Sequence, residues 1–85
     1  MQIQLKFFAS LREAVGTGSE TVSLPPDVHT AGEVREFLRA RGGTWADALA
    51  EGKALRIALN QQMADSSAAI SEGCELAFFP PVTGG

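Results

Sequence analysis

The chain has 85 residues, 45% apolar and 20% charged, with a formal net charge of −3, the balance of one small globular domain rather than of a disordered segment. Its seven Lys and Arg residues are scattered, so no basic stripe exists to neutralise phosphates and no nucleic-acid partner is expected. The single cysteine, Cys74, excludes an internal disulfide and any metal or iron–sulfur site built from several thiolates; no apolar run is long enough for a bilayer and no secretory leader is evident, so the expected compartment is the cytoplasm, without membrane contact.

The opening stretch "QIQLKFFA" alternates, with Ile3, Leu5 and Phe7 on one side and Gln2, Gln4, Lys6 and Phe8 on the other. That is the period-two pattern of a half-buried strand. In "SLREAVG", Ser10 and Glu13 have capping-box spacing and Gly16 is placed to stop a short helical turn. A second strand runs through Glu20, Val22 and Leu24 and is ended by Pro25-Pro26, which cannot donate to a ladder. The segments Gln2–Ala9 and Ser19–Leu24 therefore predict an antiparallel hairpin with a long, partly structured loop.

The strongest helix signal is "TAGEVREFLRARGG". Thr30 and Glu33 form a second capping-box pattern, Val34, Phe37, Leu38 and the stem of Arg41 share one face, and Gly42-Gly43 ends the helix. Arg35, Arg39 and Arg41 alternate with Glu33 and Glu36 and read as a solvated helix face. A shorter helical stretch follows in "TWADALAEG", with Trp45 and Leu49 four apart. Strand character returns at Arg56–Leu59 before the turn signal "NQ", Ile70 precedes a turn at Ser71-Glu72-Gly73, and "CELAFF" alternates Cys74, Leu76 and Phe78 with Glu75, Ala77 and Phe79.

Strand, strand, helix, strand, short piece, strand predicts an α+β fold in which a mixed sheet curls around one main helix, the β-grasp or ubiquitin-like arrangement. In it the first and last strands lie side by side at the sheet centre. Residues 1–79 would form the domain and residues 80–85 a flexible tail. With Ile3, Leu5 and Phe7 facing the helix, Phe8 faces away, and so does Phe79, with Ala77 beside it and Met63 close by. Such a cluster marks a partner surface, although a twist or bulge would tuck one phenylalanine back into the core.

The ending "PPVTGG" spans roughly 20 Å when extended. Pro80 and Pro81 stiffen its base, Val82 and Thr83 give it grip, and Gly84-Gly85 make a tip thin enough for a channel that any Cβ would block. Its carboxylate is presented without steric shielding, as activation to an acyl adenylate requires.

"FFPPVTGG", preceded by "EGCELA", together with "LKFFASLREAVG" and "LRIALNQQ", resembles the MoaD/ThiS group of sulfur carriers, which includes the small subunits of molybdopterin synthases. The three blocks cover nearly half of the chain. The resemblance implies that a MoeB-type adenylyltransferase activates Gly85 with ATP, that a sulfurtransferase converts the glycyl adenylate to a thiocarboxylate (1-thioglycine), and that no cofactor is stably bound. The charged carrier would dock on a MoaE-type large subunit, as a heterotetramer, and give sulfur to cyclic pyranopterin monophosphate to form the molybdopterin dithiolene. Gly84 and Gly85 would carry the chemistry; Phe8, Arg12, Met63, Phe79, Pro80, Pro81, Val82 and Thr83 would meet the partner. Cys74 stands where the family commonly has an acidic residue, and reads as an apolar filler rather than a persulfide site.

No catalytic constellation belongs to the chain itself. His29 reads as a solvated loop residue and not a metal ligand, Trp45 as packing, and Asp27 and Asp47 have no partner carboxylate for acid–base work. Arg12 reads nearly as well as a solvated turn residue. Two other readings stay open: a related carrier for thiazole synthesis, tRNA thiolation or conjugation to lysines, and a plain β-grasp interaction module with a frayed end.

Overall fold

The structure, a computed structural model, describes residues 1–81; the expectations placed on Val82, Thr83, Gly84 and Gly85 lie outside the described residues. The elements in chain order are β1 (Gln2–Phe7), α1 (Ala9–Val15), β2 (Ser19–Ser23), α2 (Ala31–Arg39), α3 (Gly43–Ala48), β3 (Arg56–Leu59), β4 (Gln62–Ala64) and β5 (Glu75–Phe79). The strands form one mixed sheet in the order β2-β1-β5-β3-β4. Strands β1 and β5 are parallel, with Leu5 opposite Leu76 and Phe7 opposite Phe78, while β1–β2, β3–β5 and β3–β4 are antiparallel. This is the α+β, β-grasp arrangement expected from the pattern of apolar residues.

One sheet face builds the core. Ile3, Leu5, Phe7, Leu76 and Phe78 are buried in one cluster with Ala31, Val34 and Leu38 of α2. The alternation of β1 places the three apolar residues on the same side, and α2 supplies the stripe that closes over them. Helix α2 starts as its sequence dictates: Thr30 Oγ1 accepts from the Glu33 amide at 3.2 Å, and Glu33 Oε1 accepts from the Thr30 amide at 3.1 Å. The turn Asn60-Gln61 joins β3 to β4 with φ of 50° and 68°. Two consecutive left-handed residues suit the strand twist in a two-residue hairpin, and Asn tolerates that region better than Gln.

Three local expectations are corrected. Ser10 and Glu13 do not cap α1, because the helix begins at Ala9 with Phe8 in the cap position and no side-chain cap bond. The Phe8 carbonyl accepts from the Leu11 and Arg12 amides at 3.1 and 3.4 Å instead. Gly42 does not close α2, which ends at Arg39 with Ala40 as a right-handed C-cap; Gly42, at φ 77°, is instead the N-cap of α3. The arginines are not a merely solvated face. Arg35 donates Nε to the Leu49 carbonyl at 2.8 Å, just past the end of α3 where helix turns leave carbonyls without donors. Its Nη2 donates to the carbonyls of Ala50 and Lys53, which also accept from the amides of Lys53 and Leu55 at 2.9 Å. Arg41 forks onto both carboxylate oxygens of Glu20 in β2 and lies over the Trp45 ring, 4.5 Å from its centroid.

Candidate functional site

The parallel pairing of β1 and β5 brings their ends to the same edge of the molecule. Phe8 directly follows β1 and Phe79 closes β5, and the Phe8 amide still donates to the Phe78 carbonyl at 3.3 Å. After Phe8 the chain turns sharply at Ala9, φ 52°, into α1. The Phe8 ring is left on the open side of the sheet, stacked on Phe79 with centroids 4.7 Å apart and planes 4° from parallel. Phe8 is 42% exposed, so neither a twist nor a bulge returns it to the core. Phe79 and Pro80 are half-buried and Pro81 is exposed.

The same open face continues across the sheet. Lys6 is opposite Ala77, Ala77 opposite Ala58, and Ala58 opposite Met63. Residues paired in register point to the same side of a sheet. Two small side chains, both buried beneath their larger neighbours rather than exposed as the sequence suggested for Ala77, therefore make a low floor between the aromatic stack and Met63, which is 63% exposed. Arg56 is the register partner of Phe79 and is exposed beside it. The sequence reading missed Arg56 and Ala58, although the alternation in "LRIAL" carries the signal, since Ile57 inward implies both outward.

Arg12 is exposed on α1 and borders a cleft of about 470 Å³ with Lys6, Phe8, Gly18 and Glu75. A Cβ on Gly18 would stand 3.1 Å from Arg12 Nε, so the missing side chain leaves room for the guanidinium stem. Phe8, Arg12, Phe79, Pro80 and Pro81 are thus at one end of the open face, with Met63 farther along it.

The remaining singled-out residues are elsewhere. Cys74 is buried in the core cluster. Trp45 packs edge-on against Phe7, centroids 5.4 Å apart, and His29, Asp27 and Asp47 are exposed. Among the described residues there is no group of three or more His, Cys, Asp or Glu able to hold a metal, and no helix is long and apolar enough to cross a membrane. The carboxylates held below their ordinary range have structural partners. Arg41 hydrogen bonds do it for Glu20, the His29 amide for Glu33, and the Ser67 hydroxyl for Asp65.

The sequence model of the ThiS family matches residues 5–85. A protein of Haemophilus influenzae named molybdopterin synthase sulfur carrier subunit is 45% identical over 83 residues, covering 98% of this chain and 99% of that one. Among solved structures, SAMP1 from Haloferax volcanii is 28% identical with a TM-score of 0.76 over the whole of both chains. A complex of subunits 1 and 2 of the molybdopterin-converting factor from Helicobacter pylori contains a chain 21% identical, TM-score 0.67, again over the whole of both; that likeness is one of fold.

Proposed function

The chain belongs to the ThiS family, and from that premise we propose that it is the sulfur carrier subunit of a molybdopterin synthase. The observation that carries this reading is the position of the Phe8–Phe79 stack at the point where Pro80 leaves the sheet, in a chain whose family match runs through Gly85. A docking face and a segment ending in Gly-Gly then act together: the face fixes the carrier on a partner, and the segment delivers its end into the partner's active site.

Chemistry gives the order of steps. A carboxylate oxygen is a poor leaving group, so an adenylyltransferase of the MoeB type first joins the Gly85 carboxylate to the AMP of ATP, releasing pyrophosphate. A sulfurtransferase then supplies sulfur as a persulfide whose outer sulfur attacks the acyl carbon, the C–O bond to AMP breaks, and reduction of the resulting acyl disulfide by a thiol leaves Gly85 as a thiocarboxylate. That polarisable anion is the nucleophile delivered to cyclic pyranopterin monophosphate on a MoaE-type large subunit. Water cleaves the resulting acyl–sulfur bond, leaving sulfur on the pterin and returning the Gly85 carboxylate, and two rounds give the dithiolene. The partner supplies the acid and base groups, consistent with carboxylates that here serve caps and ion pairs. Glycines at the tip allow close approach of backbone to the reacting centre.

The likeness to a small archaeal modifier protein, 28% identical, favours one second reading, in which the activated Gly85 is transferred to lysines of other proteins. Deletion of Gly85 separates the carrier proposal from a purely structural one. In a reconstituted synthase reaction the deletion is expected to abolish dithiolene formation while thermal stability and affinity for the large subunit stay near the parent values. Unchanged product formation, or a parallel loss of stability, would contradict the proposal.

A further inference from the structure

The fold sorts its charges. Of the seven cationic side chains, Arg39 and Arg41 pair with Glu36 and Glu20, and Arg35 is committed to backbone carbonyls. The other four, Lys6, Arg12, Lys53 and Arg56, form no ion pair among the described residues, and they are not spread evenly. Lys6 and Arg12 border the cleft beside Phe8. Lys53 and Arg56 border a larger one, about 530 Å³, at the end of the β3–β4 hairpin. The cleft on the α2 side has the opposite sign, with Asp27, Glu33 and Glu36 on its wall. In a chain of net charge −3, the unpaired cations thus line two clefts, one beside Phe8 that also carries Glu75 and one reached from Phe79 through its register partner Arg56.

The Lys53–Arg56 cleft is not used by the carrier chemistry. Arg56, directly opposite Phe79 in the sheet register, makes it continuous with the aromatic face. Its one acid, Asp65, is engaged by the amide and hydroxyl of Ser67, and Arg35 adds a third cation to the wall. We infer that this cleft is a second anchoring point for the large synthase subunit, taking an acidic segment of that partner while the aromatic stack is covered. The inference rests on the docking role proposed above for Phe8 and Phe79. Two exposed, long-stemmed cations enclose a free small anion poorly, but an acidic segment tethered to a partner already seated on the stack arrives at high effective concentration. Opposite charge at the rim acts mainly on association rate and partner choice, and it is screened by salt.

The test is calorimetric titration of the full chain with the large synthase subunit at about 50 mM and about 500 mM salt, where screening lengths differ severalfold. Lys53→Gln/Arg56→Gln is compared with Thr44→Glu/Ala40→Glu, which makes the same change in net charge at exposed positions away from the cleft, and with Phe79→Ala. The expected result is a roughly tenfold affinity loss for the Gln pair at low salt, shrinking to about twofold at high salt, with the Glu pair near the parent. Equal affinity of the Gln pair and the parent at both salts, or an equal loss in the Glu pair, would overturn the cleft's role. Undiminished docking of Phe79→Ala would instead overturn the aromatic face itself, and the inference with it. Among the described residues the Lys53 and Arg56 side chains form no ion pair, and an unchanged thermal midpoint of the Gln pair is the accompanying check.

Discussion

Phe79 and Phe78 are adjacent in sequence and differ in what their rings do. Phe78 is fully buried against Phe7, centroids 6.0 Å apart, whereas Phe79 stacks on Phe8 at the surface. Truncating a buried phenylalanine costs about 3–5 kcal/mol through lost burial and a cavity. Phe78→Ala is accordingly expected to approach the whole stability of a domain this small, read as a collapse of the denaturant midpoint. Phe79→Ala removes a half-buried ring and its stack on Phe8, the stack worth about 0.5–1.5 kcal/mol, and leaves no enclosed cavity of the kind Phe78→Ala would. It is expected to leave the fold intact and to weaken partner docking about tenfold or more. Equal stability losses in the two variants would mean that the faces have been misassigned. The Glu20–Arg41 pair titrates in a defined direction. Glu20 is held below its unfolded value near 4.5, chiefly by the Arg41 hydrogen bond, against the opposing effect of burial. Its contribution is therefore fully present above the unfolded value and is lost as pH falls through the folded one. A partly exposed pair is screened, so Glu20→Gln is expected to cost a few tenths to about 1 kcal/mol near neutrality. That difference should vanish in thermal melts below the carboxylate range; a difference independent of pH would contradict it.

Among the elements, α3 depends most on a residue outside itself. Arg35 of α2 donates to the carbonyls of Leu49, Ala50 and Lys53. The last two keep the amides of Lys53 and Leu55 as donors, so the Leu49 carbonyl is the one that relies on Arg35, and a carbonyl left without a donor in a part-buried site costs about 1–3 kcal/mol. Arg35→Ala is expected to destabilise the domain by that amount and to speed amide exchange in α3 before α2, as hydrogen exchange would read it. Uniform exchange across both helices would contradict the capping role. None of this was legible beforehand, because the partners are 14 to 18 residues from Arg35 in sequence, as Glu20 is 21 from Arg41. Period and spacing report contacts within an element, and these contacts run between elements. The Thr30–Glu33 box was legible for the converse reason: all its donors and acceptors fall within one turn. The same spacing at Ser10 and Glu13 misled because the β1–β5 ladder extends to the Phe8 amide and the Phe8 carbonyl starts α1. A tertiary contact thus moved the helix start.

At the scale of the molecule, alternation in "QIQLKFFA" and "CELAFF" carried the two central strands and the outward placement of Phe8. It also carried that of Phe79, since both strands are long enough to show a period. Strand β4, three residues long, was too short to show one and was legible only as a piece after the Asn60-Gln61 turn. The pairing of Lys6 with Arg12 in one cleft and of Lys53 with Arg56 in another was not legible at all, since each cleft forms only when the sheet is assembled. What the assembled molecule offers is a β-grasp body with an aromatic face at one end of it, from which Pro80 and Pro81 lead on. The most direct test is the intact mass of the full chain, purified without thiols, before and after incubation with a MoeB-type enzyme, ATP and a sulfur donor. The expected result is one sulfur in place of one oxygen, located in the fragment that contains Gly85. An unchanged mass in the presence of an activating system that modifies another carrier would contradict the sulfur-carrier function.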